Sequence, residues 1–276
     1  MYNVRIKVFG TTQQIQVFSK AQFSRGESSS KRGNEFTGED ITGTHFEEVP
    51  FLADGCGRVT TWGHERTDAD IERSRRRTIN MIYDYSRSNP WEWFVTLTLN
   101  PQKVNRYDYS DCVKKVSQWL KNMKKVSPDM MYLVVPEQHK DGAWHFHGLF
   151  AHCDGIAFVN SGKQDSKGRV IWNVGKYRLG FSMATQISDL ERAAAYICKY
   201  ISKDLCLATM GRKRYWISRN LSLPEVYEFY FESSFDDRVA FEKEGASFVK
   251  NIESPFGNVC YIEKPFNLFE KQGFGV

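Results

Sequence analysis

Apolar Tyr2, Val4, Ile6 and Val8 alternate with polar residues at the start of the chain, a period of two that predicts a strand. Residues 24–44, SRGESSSKRGNEFTGEDITGT, break every period with Ser, Gly and charge and read as a mobile loop. From Asp68 to about Arg87 the spacing changes. Ile71, Ile79, Ile82 and Tyr83 recur at helical intervals with Arg73, Arg76 and Arg77 on other faces, so a helix capped by an Asp is expected. WEWFVTLTL (91–99) is a β-branched and aromatic run stopped by Asn100-Pro101, which reads as a buried strand. Val113, Val116, Leu120 and Met123 form the stripe of a helix over 109–126 whose other faces carry lysines. Two strand-like runs follow, MYLVVPEQ (131–138) and WHFHGLFAH (144–152), and the Asp141-Gly142 between them predicts a hairpin. VNSGKQDSKGR (159–169) reads as a polar loop and 170–186 as holding one further strand. SDLERAAAYICKYISKDL (188–205) reads as a single helix capped by Ser188 or Asp189.

This succession of strand, helix, hairpin, strand and helix predicts an α+β domain whose antiparallel sheet is covered by helices. Three segments are expected: an accessory piece at 1–65, the sheet domain with its preceding basic helix at 66–221, and an acidic, aromatic extension at 222–276. With 276 residues, 41% of them hydrophobic, the chain can bury a proper core, and its composition excludes disordered and fibrous classes. No run approaches the length of an apolar membrane span, and the start, MYNVRIKVFG, lacks the apolar block of a signal peptide, so a cytoplasmic protein is expected. Six cysteines scattered without a CxxC pair are expected to be reduced thiols. The net charge is only +5 but uneven: +1 over residues 1–90, +9 over 91–219 and −5 over 220–276. A basic centre of this kind suits a polyanionic partner. GxxxxGK[ST] is absent, so no P-loop ATPase and no use of ATP is expected.

Two clusters carry candidate chemistry. His145 and His147 flank Phe146 in HFHGLF; two apart on a strand, their side chains share a face, so both imidazoles can reach one ion. Glu137 lies eight residues earlier on the partner strand, where a carboxylate would complete a three-ligand, open-sided site, with Gln138 and His139 as second choices. The other cluster is AAAYICKYISKD. Tyr196 and Tyr200 are four apart on the expected helix, hence on one face about a turn apart, and each is followed three residues later by a lysine, Lys199 and Lys203. Taken alone, the first cluster describes two surface or core histidines equally well, and the second an amphipathic helix with solvated lysines. Beyond that helix, Arg212, Lys213, Arg214, Tyr215, Trp216 and Arg219 supply the basic and aromatic side chains of a single-strand groove. Arg73, Arg75, Arg76 and Arg77 form a second candidate patch, whereas Trp91, Trp93, Trp119 and Trp144 are expected in the core.

In order and spacing, FVTLTLNP, PEQHKDGAWHFHGLF and YICKYISKD resemble the three motifs of the HUH endonucleases that initiate rolling-circle replication, over about residues 91–205. The resemblance is to the initiators of small single-stranded DNA phages (microviruses), rolling-circle plasmids and integrated elements of bacteria. GRKRYWISRNL (211–221) resembles the basic segment that often follows there. The resemblance implies an antiparallel sheet of about five strands with flanking helices, and a Mg²⁺ or Mn²⁺ ion on His145, His147 and Glu137. It implies that Tyr196 and Tyr200 nick single-stranded or hairpin origin DNA through a 5′-phosphotyrosine and rejoin strands, beside a host helicase and polymerase in a bacterial cytoplasm. A free phenol is about 0.1% ionised at pH 7, so either the ion and a nearby ammonium must favour the phenolate or a base must remove its proton, and Lys199 and Lys203 are the candidates for the ammonium. Three rivals remain: a relaxase or single-strand transposase of the same chemistry, a zinc hydrolase with no covalent step, and a non-catalytic nucleic-acid-binding domain.

Overall fold

Along Trp93–Leu99 the chain buries Val95, Leu97 and Leu99 and turns Thr96 and Thr98 to the opposite face, so one strand serves a core on one side and a polar surface on the other. A computed structural model describes residues 1–23, 67–253 and 257–266. The loop expected at 24–44 lies outside them. In chain order the elements are β1 (Tyr2–Phe9), β2 (Thr12–Gln22), α1 (Asp68–Arg87), β3 (Trp93–Leu99), α2 (Tyr109–Val126), β4 (Met131–Gln138), β5 (Trp144–Ala151), β6 (Phe158–Gln164) and β7 (Val170–Val174). They continue with β8 (Gly180–Gln186), α3 (Leu190–Cys198), α4 (Lys203–Ala208), β9 (Trp216–Ile217), β10 (Glu225–Phe229), α5 (Phe235–Lys243), β11 (Phe248–Ile252) and β12 (Val259–Pro265). The chain divides into two units, Gly57–Leu223 and a second that joins Met1–Cys56 to Pro224–Val276.

The first unit is built on a seven-stranded antiparallel sheet in the order β6-β7-β8-β3-β5-β4-β9, and its α+β class is the one expected. Seven strands replace the expected five or so because two edge strands add to it, the polar β6 and the two-residue β9. Helix α2 covers one face: Cys112, Val116, Leu120 and Met123 are buried, and the Trp119 ring meets Phe150 edge-on at 6.2 Å. Each such buried aliphatic side chain contributes about 1.5–3 kcal/mol. Helix α2 spans the predicted 109–126, with Asp108 Oδ1 capping it by accepting from the Ser110 amide at 2.9 Å. Helices α1, α3 and α4 lie together over the opposite face, on its β4 side.

Three local expectations are corrected. Thr67, rather than an Asp, caps α1 through a reciprocal box in which Thr67 Oγ1 accepts from the Asp70 amide and Asp70 Oδ2 from the Thr67 amide, both at 3.2 Å. The polar run 159–169 is a hairpin arm rather than a loop, and 170–186 holds two strands, not one. Its turn is organised by Asp165 Oδ1, which accepts from the Lys167 and Arg169 amides at 2.9 Å, and an edge strand needs no apolar face to pair its backbone. The expected helix 188–205 breaks after Cys198, and a new one starts at Lys203 because Ser202 Oγ takes the Leu205 amide at 3.0 Å.

In the second unit the two ends of the chain share one sheet, ordered β10-β1-β2-β12-β11, with α5 against β2 and β12. Val4, Ile6, Ile15, Val17, Val239, Cys260 and Ile262 form its core. Segments that read as a separate accessory piece and extension thus meet, because β1 pairs with β10 and β2 with β12. The five described cysteines are free thiols. No helix among the described residues is long and apolar enough to cross a membrane.

Candidate functional site

The β4–β5 hairpin sets its own register. Its turn closes with the His139 amide donating to the Ala143 carbonyl (2.9 Å), Ala143 donating to Asp141 Oδ1 (3.0 Å), and Gly142 at φ 85°, where a side chain would be strained. Glu137 therefore stands directly opposite His145, and His147 opposite Val135. On the other edge of β5, Thr98 lies opposite His145 and Thr96 opposite His147. Gly148 follows the second histidine for a steric reason, since a Cβ there would come within 2.6 Å of the Phe150 ring and 3.1 Å of the Leu133 carbonyl.

His147, only 6% exposed, places Nε2 2.7 Å from Glu137 Oε2, and His139 Nε2 reaches the same oxygen at 3.3 Å. The His139 and His145 rings stack at 3.7 Å. The hydrogen bond from His147 holds the Glu137 carboxyl below the usual carboxylate range. Burial, and then the charges of His139 and His147, push His145 down to about 4, so it is neutral and keeps a lone pair at physiological pH. Behind both rings stand threonines: Thr96 Oγ1 is 3.2 Å from His147 Nδ1, and Thr98 Oγ1 3.4 Å from His145 Nδ1.

Among the described residues no group of three or more His, Cys, Asp or Glu side chains is spaced as a ready metal cage, and Glu137 is bonded directly to His147. The donor chemistry nonetheless fits a divalent cation. With Nε2–H given to Glu137, His147 Nδ1 accepts from the Thr96 hydroxyl; with Nε2 given to an ion, Nδ1–H would donate to the same hydroxyl. A hydroxyl serves in both states without moving. Thr96 and Thr98 escaped the sequence reading, although their two-residue period in VTLT, beside the apolar Val95 and Leu97, is the signal that could have found them.

The tyrosines lie over the same face. Tyr200, beyond the end of α3, stacks its ring on His147 at 3.7 Å and 7°. Tyr196, in the last turn of α3 and 48% exposed, meets Tyr200 edge-on at 5.5 Å and Phe94 at 5.2 Å. The two phenols therefore converge across a helix break rather than along a helix face. Burial first, then hydrogen bonding to Tyr196, raises the Tyr200 pKa. Lys199 Nζ lies 5.7 Å from the Tyr196 ring centre, whereas Lys203 pairs with Asp68 Oδ2 at 3.0 Å, drawn away by the new start at α4.

The remaining basic candidates scatter. Arg212, Lys213 and Arg219 are exposed, with the Arg212 guanidinium 5.8 Å from the Tyr109 ring centre. Tyr215 is half-buried against the core. Arg214 is bonded inside the fold, donating to Ser74 Oγ (2.7 Å), the Cys206 carbonyl (3.2 Å) and Thr209 Oγ1 (3.3 Å), and so fastens α4 to α1. Arg214→Ala should lower unfolding stability by about 1.5–3 kcal/mol, read from the urea midpoint. An unchanged midpoint would show these bonds to be idle. On α1, Glu72 pairs with both Arg75 (2.7 Å) and Arg76 (2.9 Å), Asp70 holds Arg73 (3.1 Å), and Arg77 is exposed.

Residues 92–205 match the family model for Replication-associated protein ORF2, a span that takes in Glu137, both histidines and both tyrosines. The comparisons with curated proteins and with solved structures found no match. The family acts in DNA replication, and the basic centre of the chain falls largely within the matched span. Residues 92–205 of this chain are therefore similar to the replication-associated protein ORF2 family, a likeness consistent with an initiator of rolling-circle replication.

Proposed function

We propose that the protein nicks and rejoins origin DNA in a metal-dependent reaction, with Tyr196 and Tyr200 as nucleophiles. The observation that carries the reading is the stack of Tyr200 on His147 at 3.7 Å, with Glu137 2.7 Å from the same imidazole, so that phenol, imidazole and carboxylate meet at one point of the sheet. His145, His147 and Glu137 would hold Mg²⁺ or Mn²⁺, which when bound polarises a phosphate and offsets its charge. The sequence-distant Thr96 and Thr98 orient the two rings. Phenolic oxygen attacks phosphorus, the bond from phosphorus to the 3′-oxygen breaks, the phenol proton passes to a neighbouring base or water, and the leaving 3′-oxygen takes up a proton. The Lys199 ammonium, 5.7 Å from the Tyr196 ring centre, places positive charge beside the attacking side chain.

The 5′-phosphotyrosyl bond conserves the phosphodiester, so rejoining needs no ATP, and the free 3′-OH can prime a host polymerase behind a host helicase. Single-stranded or hairpin origin DNA is the substrate, and the bacterial cytoplasm the place of action. The test is incubation of the full chain with single-stranded DNA and Mn²⁺, followed by a denaturing gel. A species shifted by the oligonucleotide's mass and lost with EDTA is expected. Cut DNA without that species would mean a hydrolase instead, and binding without cutting a non-catalytic module. Thr96→Val, which keeps the β-branched shape, should weaken Mn²⁺ binding by about 10–100-fold in calorimetry; equal affinity would remove the threonine from the site.

A further inference from the structure

Among the described residues the most exposed large apolar side chain is Phe181, at 80%, and it stands in β8 on the sheet face that carries the histidines. The register places it in line with them. Phe181 is opposite Thr98, which is opposite His145; Met183, 45% exposed, is opposite Thr96, which is opposite His147. Two strand spacings, about 10 Å, separate each apolar side chain from its histidine. Gly180 makes this placement possible, since a Cβ there would fall 2.1 Å from the Thr98 carbonyl oxygen and 2.7 Å from the Asn100 nitrogen. Only glycine lets the start of β8 press against the end of β3 and hold Phe181 in that row.

The flanking segments are cationic. Residues 93–107 and 170–188 include Lys103, Arg106, Lys176 and Arg178 and contain no Asp or Glu. Arg106 reaches Asp141 of the hairpin turn at 3.6 Å. Lys103 Nζ donates to the Arg178 carbonyl at 2.8 Å, which gathers two of the other cations just ahead of β8. An exposed ring beside such cations matches the chemistry of a single strand, whose bases offer π-faces and whose phosphates offer charge. We infer that Phe181, with Met183 beside it, is a stacking platform that seats a base next to the phosphate to be cut. The inference rests on the reading of the site as a DNA nickase. It assigns Phe181 a positioning role: by holding a neighbouring base it fixes where the strand crosses the His145 row.

The test measures binding of the full chain to labelled oligothymidine in EDTA, where no cutting occurs, and to an abasic strand of equal length. Phe181→Ala should weaken oligothymidine binding by about 5- to 150-fold, the worth of one aromatic stack. Its salt dependence should run parallel to that of the unaltered chain, and abasic binding should be unchanged, because phosphate contacts are untouched. Phe181→Trp should restore affinity. Phe181→Ala binding like the unaltered chain, or losing as much on the abasic strand, would overturn the platform. So would a drop in oligomeric mass on Phe181→Ala in sedimentation, which would assign the ring to a second copy of the chain. The Mn²⁺ adduct gel on the unaltered chain keeps the two readings apart: adduct formation with an indifferent Phe181→Ala sinks the platform alone, whereas no binding and no adduct sinks both.

Discussion

His147→Ala should lower the rate of covalent adduct formation by about a thousandfold while leaving most single-strand affinity intact. The size of the effect follows from how much meets at this ring. Its Nε2 is 2.7 Å from Glu137, its Nδ1 3.2 Å from Thr96, and its face lies 3.7 Å from Tyr200, so its loss removes a ligand and the surface that seats a phenol. Binding should survive because phosphate contacts, rather than one ion, carry affinity for a single strand. His147 is buried, so its truncation also disturbs packing; His145→Ala is the control, since that ring stacks on His139 rather than on a tyrosine and is partly exposed. His145→Ala should also be severely slowed, with an unfolding midpoint near that of the unaltered chain. Full nicking in Mg²⁺ by the double variant His145→Ala, His147→Ala would refute the metal assignment. A Glu137→Ala chain as fast as the original would move the third ligand to Gln138 or His139.

The second large effect concerns the phenols. Tyr196→Phe and Tyr200→Phe should each still form adducts, and the double variant should lose them by roughly a thousandfold or more. Phenylalanine keeps the ring contacts, the stack of residue 200 on His147 and the edge contacts of residue 196 with Phe94, and removes only the hydroxyl. The rings of Tyr196 and Tyr200 are 5.5 Å apart, close enough for one to hold a 5′ end while the other cuts the regenerated origin. Multiple turnover should therefore fall in both single variants. Their environments differ, with Tyr200 half-buried and its pKa raised, and Tyr196 exposed beneath the Lys199 ammonium. If one single variant were dead and the other fully active over many turnovers, the two-nucleophile cycle would be wrong. The surplus tyrosine would then be a packing residue.

The elements around the candidate site differ in how legible they are in the sequence. Helix α2 and the β4–β5 hairpin follow from periods of 3.6 and 2 closed by an Asp-Gly turn, all of them local signals, and with the hairpin comes the placement of Glu137 opposite His145. Side-chain alternation likewise puts His145 and His147 on one face before any tertiary contact is known. Other features depend on partners far along the chain. Thr96 and Thr98 lie some fifty residues before the histidines they support, and only the β3–β5 pairing brings them together. The helix expected at 188–205 has good propensity throughout, but Ser202 captures the Leu205 amide and the chain restarts, which sends Lys203 to Asp68 and lays Tyr200 flat on His147. Arg214 resembles its basic neighbours in sequence and becomes a tie to α1 only because Ser74 is there to accept it. Polar residues 159–164 form a strand because the edge of a sheet asks for backbone pairing and not for an apolar face. Local periodicity by itself determined the central strands, the hairpin and the histidine pair, since those arise from interactions a few residues apart. Tertiary structure decided which threonines back the histidines, which tyrosine stacks on them and which lysine stays beside the tyrosines, and that the chain's two ends share a sheet, because those energies come from contacts no local pattern encodes.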